Sequence, residues 1–168
     1  MSASQPYADH CELPLAHGTL RLSPLPADEV VPMARAVAAM DPWADYGVPA
    51  AAIAEYLGGA EPEGLRYLLK VDGTTAGALG LQPHWLRGPY IRFLALLPNF
   101  QRRGIGGALL NWLQGEARRR QERNLWVVAS EINTDGIRFY ERHGFALAAR
   151  LDDLAYDDRV ELLLRKRL

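Results

Sequence analysis

The chain has one cysteine, Cys11, and only two lysines, Lys70 and Lys166, in 168 residues. One cysteine excludes an intramolecular disulfide and a thiolate cluster for zinc, and it suits a reducing compartment. No apolar run approaches the roughly 20 residues of a membrane span. The opening stretch MSASQPYADH lacks the basic-then-apolar pattern of a secretory leader. The expected location is therefore the cytoplasm, with no membrane partner. Charge of one sign is lacking too: 19 basic residues face 20 acidic ones, for a net charge of -1. That balance gives no bulk attraction to nucleic acid, so any anion site must be built locally. The scarcity of lysine reads first as genome composition and only second as a preference for bidentate contacts.

What is present is ordinary for a globular protein: 49% hydrophobic and 23% charged residues. The length suits one domain over residues 1–168, with 1–17 read as an irregular polar arm. TLRLSPL (19–25) alternates as a strand does, and PADEVVPMARAVAAMDPW opens with proline and two acids before helical apolar spacing. PAAAIAEYL (49–57) reads as a second helix. LRYLLKVDGTTAGALGLQP is a hairpin about Asp72-Gly73, a pair suited to a primed turn.

PYIRFLALLP (89–98) and LWVVAS (125–130) read as buried strands. Between them, apolar positions 105, 108, 109, 112, 113 and 117 mark an amphipathic helix. NTDGIRFYERHG is a short helix capped by Asn133 or Thr134 and stopped by Gly144. FALAARL and RVELLLRKRL close the chain as strands around an acidic loop. The order predicts an α/β (α+β) fold: one mixed sheet of about seven strands covered by about four helices.

The stretch LALLPNFQRRGIGGALL puts two arginines and three glycines at a helix start. Unbonded amides there carry partial positive charge and suit a phosphate, which glycines leave uncovered. Close packing of the helix on the sheet is an equal reading of Gly104, Gly106 and Gly107.

QRRGIG (101–106) resembles the Q/R-x-x-G-x-G/A signature of the GNAT superfamily of N-acetyltransferases, which use acetyl-coenzyme A. Asn133, Gly136, Tyr140, Gly144 and Phe145 are similar to that family's second segment, N-x-x-(A/G)-x-x-x-Y-x-x-x-G-F. LALLP matches its apolar strand ending in proline, and together the matches span about residues 89–146.

The resemblance implies a mostly antiparallel sheet splayed between its fourth and fifth strands. A bulge near Leu96 and Leu97 would open that gap. Amides of Gln101, Arg102, Arg103, Gly104, Ile105, Gly106, Gly107 and Ala108 would cradle the pyrophosphate. Asn133 would bond the pantetheine or the neighbouring backbone, with Gly136 and Phe139 of the same helix in the coenzyme site. Tyr140 would face the sulfur as acid. The Leu96 amide would hold the oxyanion as an amine attacks the thioester directly.

Many relatives carry a glutamate on the strand before the glycines, where this chain has Phe93 and Ala95, with the direction of Arg92 open. That leaves Glu131 or His84 as base. No metal is implied. The acceptor would be an amine of a small molecule or peptide, favoured as a cation by the acidic loop DDLAYDD, and the protein a monomer or homodimer. RRR (118–120) ends a helix and suits its dipole rather than nucleic acid.

Two other functions fit the same residues less well. One is an inactive coenzyme-binding regulatory module, which would have little need of Tyr140. The other is a dinucleotide-binding oxidoreductase. It is opposed by leucine where a third glycine should fall, and by six residues, Pro98 to Arg103, where a tight turn is needed.

Overall fold

Asp72 and Gly73 both adopt positive φ, 48° and 83°, the geometry of a type I′ turn whose twist matches the strands it joins. They link β3 (Leu65–Val71) to β4 (Thr74–Trp85). The protein is described here from a computed structural model covering residues 7–59, 61 and 63–168. From this hairpin the sheet grows both ways. On one side lie β2 (Thr19–Pro24) and β1 (Cys11–Pro14); on the other lie β5 (Gly88–Leu96), β6 (Asn124–Ser130), β8 (Val160–Arg167) and β7 (Ala146–Asp152). The order is β1-β2-β3-β4-β5-β6-β8-β7, and only β5 and β6 run parallel.

Eight strands replace the expected seven because residues 11–14 are β1 rather than part of an irregular arm. Cys11 and Leu13 pack toward the core while Glu12 faces out to Arg21. Four residues of alternation are too few to stand out in a polar stretch. Tyr7 is also packed: its hydroxyl donates to Glu122 at 2.6 Å and its ring lies under the Arg120 guanidinium at 3.7 Å. Residues 1–6 of the expected arm lie outside the described residues.

Helices cover both faces. On one face, α1 (Ala27–Ala38), the short α2 (Trp43–Tyr46) and α3 (Ala50–Gly58) surround Val37, Ile53, Leu57, Leu68 and Phe93. On the other, α4 (Ile105–Arg119) buries Ile105, Leu109, Leu110 and Leu113 against β3, β4 and β6. Each fully buried leucine contributes about 1.5–3 kcal/mol through removal of apolar surface from water. The last helix, α5 (Thr134–Arg142), lies on the same face and contributes Tyr140 to that core.

The parallel pairing of β5 with β6 is short, Tyr90 with Trp126 and Ile91 with Val127. It ends where β5 carries an extra residue: Leu94 and Phe93 pair Leu79 and Gly80, but Leu81 pairs Ile91, so Arg92 has no partner on β4. A bulge of this kind bends a strand and sharpens its twist. The sequence reading put the bulge near Leu96 and Leu97. The structure moves it to Arg92, and the sheet splays from there.

Candidate active site

Beyond the bulge, the backbone of β5 offers one edge to β4 and the other to the gap. The Leu97 N–H donates to the Ala76 carbonyl at 2.9 Å, and the Ala95 carbonyl closes on Gly77 of β4. Because hydrogen-bonding groups alternate along a strand, Leu94 and Leu96 direct theirs toward the gap. Leu97, expected to face the gap, therefore spends its amide on β4. The Leu96 carbonyl accepts from the Gln101 side chain at 2.9 Å.

Gln101 N–H bonds the Pro98 carbonyl, and Ala108 N–H bonds the Gly104 carbonyl. Those two amides, expected in the anion cradle, are thus already spent. The amides from Gly104 to Gly107 form the first turn of α4, where helix geometry provides no acceptor within the helix. Gly104 caps the helix at φ 79° with open space around it, a left-handed conformation natural to glycine. Arg102 and Arg103 stand exposed beside it.

The other two glycines have a different cause. A Cβ on Gly106 would lie 2.8 Å from the Phe139 ring, and one on Gly107 would lie 3.0 Å from His143 Nε2. They admit α5. Close packing is therefore the reason for Gly106 and Gly107, while Gly104 serves the turn.

Asn133 caps α5, its Oδ1 accepting from Gly136 N–H at 3.0 Å. The next turn stacks Phe139 against Tyr140 at 5.1 Å, and Tyr140 against Phe145 at 5.3 Å. Tyr140 is buried and reaches a cavity of about 440 Å³ in the gap. Its walls include Tyr90, Leu94 and Asn133, while Tyr46 and Tyr156 cover the opposite end. Leu96 lies outside this wall, nearer the glycine turn. Burial, and second the nearby Tyr90, push the Tyr140 phenol well above its usual range, so it stays protonated and keeps an O–H to donate.

The residue matching the Acetyltransferase (GNAT) family model run from 31 to 145. The chain belongs to the GNAT acetyltransferase family. An uncharacterized N-acetyltransferase from the pepI 3′ region of Lactobacillus delbrueckii subsp. lactis is 32% identical over 122 residues, covering 67% of this chain and 70% of the relative. Nourseothricin acetyltransferase shares 25% identity and a TM-score of 0.57, over 64% of this chain and 66% of its own. A ribosomal L7/L12 α-N-protein acetyltransferase in complex with coenzyme A shares the fold at a TM-score of 0.71 and 19% identity, over 94% and 98% of the two chains. The enzyme class is thus acyl transfer.

Neither base expected for this acetyltransferase from the sequence reaches the cavity. Glu131 is exposed and ion-paired to Arg150 at 2.5 Å, and His84 is exposed on β4 outside the cavity wall. Arg92 borders the cavity but spends its guanidinium on Glu61, at 2.7 Å. Phe93 packs against Trp43 and Tyr56 at 5.6 and 5.7 Å.

The buried carboxylate in the wall is Glu161, 8% exposed, directly across the ladder from Ser130. Burial raises its carboxyl above the usual range, against the opposing pull of Ser130 and Arg159. Beside it, the Tyr46 hydroxyl is buried without a well-formed hydrogen bond among the described residues. Glu161 escaped the sequence reading, although one acid in the apolar run RVELLLRKRL was a signal. Among the described residues, no group of three or more His, Cys, Asp or Glu side chains could hold a metal ion. No helix there is long and apolar enough to cross a membrane.

Proposed function

We propose that this acetyltransferase moves an acetyl group from acetyl-coenzyme A to a primary amine of a small molecule or peptide, by direct attack of the nitrogen. The observation carrying this reading is the gap itself. It begins at the bare amides of Gly104–Gly107, follows the turned-out backbone of Leu96 and Leu94, and widens into a cavity holding both Tyr140 and Glu161. These residues fit the donor in three respects. A helix start with two arginines beside it suits a pyrophosphate. Strand amides without a ladder partner suit an extended arm that contains amides. The cavity beside Tyr140 suits a small reacting group.

The donor supplies an already activated acyl group, so no side chain has to act as nucleophile. Leu94 rather than Leu96 is assigned to the oxyanion, because Leu94 borders the cavity that contains Tyr140. Tyr140 donates a hydrogen bond to the departing sulfur. A thiol ionises near 8.5 in reference peptides, below a phenol near 10, so the phenol shares its proton rather than surrendering it. Glu161 receives the proton that frees the attacking nitrogen. Its raised affinity for protons makes it a better base than an exposed carboxylate. Asn133 is assigned the cap of α5, holding Tyr140 in place.

The test is calorimetric titration with acetyl-coenzyme A, followed by thiol release across amines, amino acids, aminoglycosides and peptides. Binding with amine-dependent release supports the reading. Absence of binding ends it. Binding without release for any acceptor would make the chain a coenzyme-binding module.

A further inference from the structure

The acceptor end of the cavity carries two opposite charges, one more than a simple amine requires. We propose that the acceptor is a free α-amino acid with an apolar or aromatic side chain, its ammonium met by Glu161 and its carboxylate by Arg159. This rests on the transferase reading above.

Arg159 immediately precedes β8 and Glu161 is the second residue of that strand; both line the cavity. Both face one space, with Arg159 near enough for its charge to act on the Glu161 carboxyl, an arrangement that suits a molecule bearing both charges on one carbon. Among the described residues, Arg159 makes no ion pair with a carboxylate. Its guanidinium lies over the rings of Tyr156 and Tyr46, at 4.9 and 5.9 Å.

Three other charges nearby are engaged. Arg92 is neutralised by both oxygens of Glu61, at 2.7 and 2.8 Å. Asp152 pairs with Arg150 at 3.3 Å, and Asp153 accepts from the Asp158 N–H at 2.7 Å. None of the acids of loop 152–158 lines the cavity, so the cation facing an arriving molecule is Arg159. The buried Tyr46 hydroxyl, left without a well-formed bond, is a second donor for a carboxylate. A polyamine would bring a second ammonium against Arg159 and be rejected. Trp43, Leu154 and Tyr156 form the apolar part of the wall, and Leu154 and Tyr156 are 57% and 47% exposed, apolar surface that a side chain of the acceptor covers.

The chemistry balances. The ammonium loses one proton through Glu161 to solvent, and the nitrogen forms a bond to the acetyl carbon. The carbon–sulfur bond then breaks with its electron pair on sulfur, and the second proton shed by nitrogen ends on the thiol.

The experiment measures thiol release from acetyl-coenzyme A by the native chain with phenylalanine, phenethylamine, phenylalaninamide and a tripeptide beginning with phenylalanine. Phenylalanine is expected to exceed each of the others at least tenfold in kcat/KM. In Arg159→Gln its advantage over phenethylamine falls below about twofold, and Arg159→Lys restores part of it. Equal or better turnover of any acceptor without a carboxylate on the amine-bearing carbon, the tripeptide included, overturns the proposal. So does an advantage that survives Arg159→Gln, or release with none of the four. In that last case, titration with acetyl-coenzyme A decides the transferase reading separately.

Discussion

The two ends of the gap between β5 and β6 are made of different material. At the α4 end the polar groups on offer are backbone amides, exposed by a left-handed Gly104 and by glycines thin enough to admit α5. At the α2 end they are side chains, Glu161, Arg159 and Tyr46, supplied by a strand, the residue before it and a short helix. A main-chain site binds whatever has phosphate chemistry and tolerates change in its side chains. A side-chain site changes its guest with a single substitution. The difference explains how one fold can serve relatives as unlike as a nourseothricin acetyltransferase and a ribosomal protein acetyltransferase.

The sharpest way to break the comparison is Glu161→Gln. Turnover is expected to fall about a hundredfold or more, within the usual range for a lost general base. The acid limb of the pH–rate profile should vanish with it. In the native protein that limb lies above the range of an ordinary carboxylate, because burial raises Glu161. The same shift fixes the sign for stability. A carboxyl that binds its proton more tightly when folded favours folding at low pH, and that contribution is lost as pH rises through the raised value. Charged Glu161 therefore costs stability at neutral pH, and the glutamine variant should melt no lower than the native protein while being far less active.

Tyr140→Phe follows, with kcat reduced about tenfold, equal to about 1.4 kcal/mol of lost transition-state stabilisation. Acetyl-coenzyme A affinity, measured by calorimetry, should change little. Because burial holds the phenol protonated, no alkaline limb below pH about 10 should belong to Tyr140.

Gly106→Ala tests the glycine turn. Its methyl must displace the Phe139 ring, and overpacking of this kind costs about 1–3 kcal/mol. Thermal denaturation should show that loss, together with weakened turnover through the adjoining Tyr140. Gly104→Ala meets no neighbour but keeps an unfavourable φ, so about 1 kcal/mol is expected. Smallest of all, Glu131→Gln removes an exposed ion pair; the melting temperature and kcat/KM should stay close to native values.

The same contrast governs how much could be read from the residues alone. The glycine turn, the cap at Asn133 and Tyr140 stand at fixed intervals along one stretch of chain, so spacing exposes them. Glu161 reaches the cavity through its pairing with Ser130, a register set by β6, β7 and β8 rather than by any motif. The bulge was misplaced because the run from Phe93 to Leu97 is apolar throughout and carries no mark of the residue that slips. Its position shows only in the pairing with β4. The glycines were half understood: Gly104 reads from its place before a helix, whereas Gly106 and Gly107 answer to the rings of Phe139 and His143, far downstream in the chain.

The contact of Gly106 with Phe139 has one more consequence. It clamps α5 directly onto the start of α4, and Tyr140 follows Phe139 in the chain. The phenol and the turn of bare amides are thereby fastened into one stiff gauge of fixed span. In the proposed reaction, a donor gripped at one end and reacting at the other would have its length checked before any chemistry begins. Thioesters with a shortened arm, however reactive, would fall short of the mark.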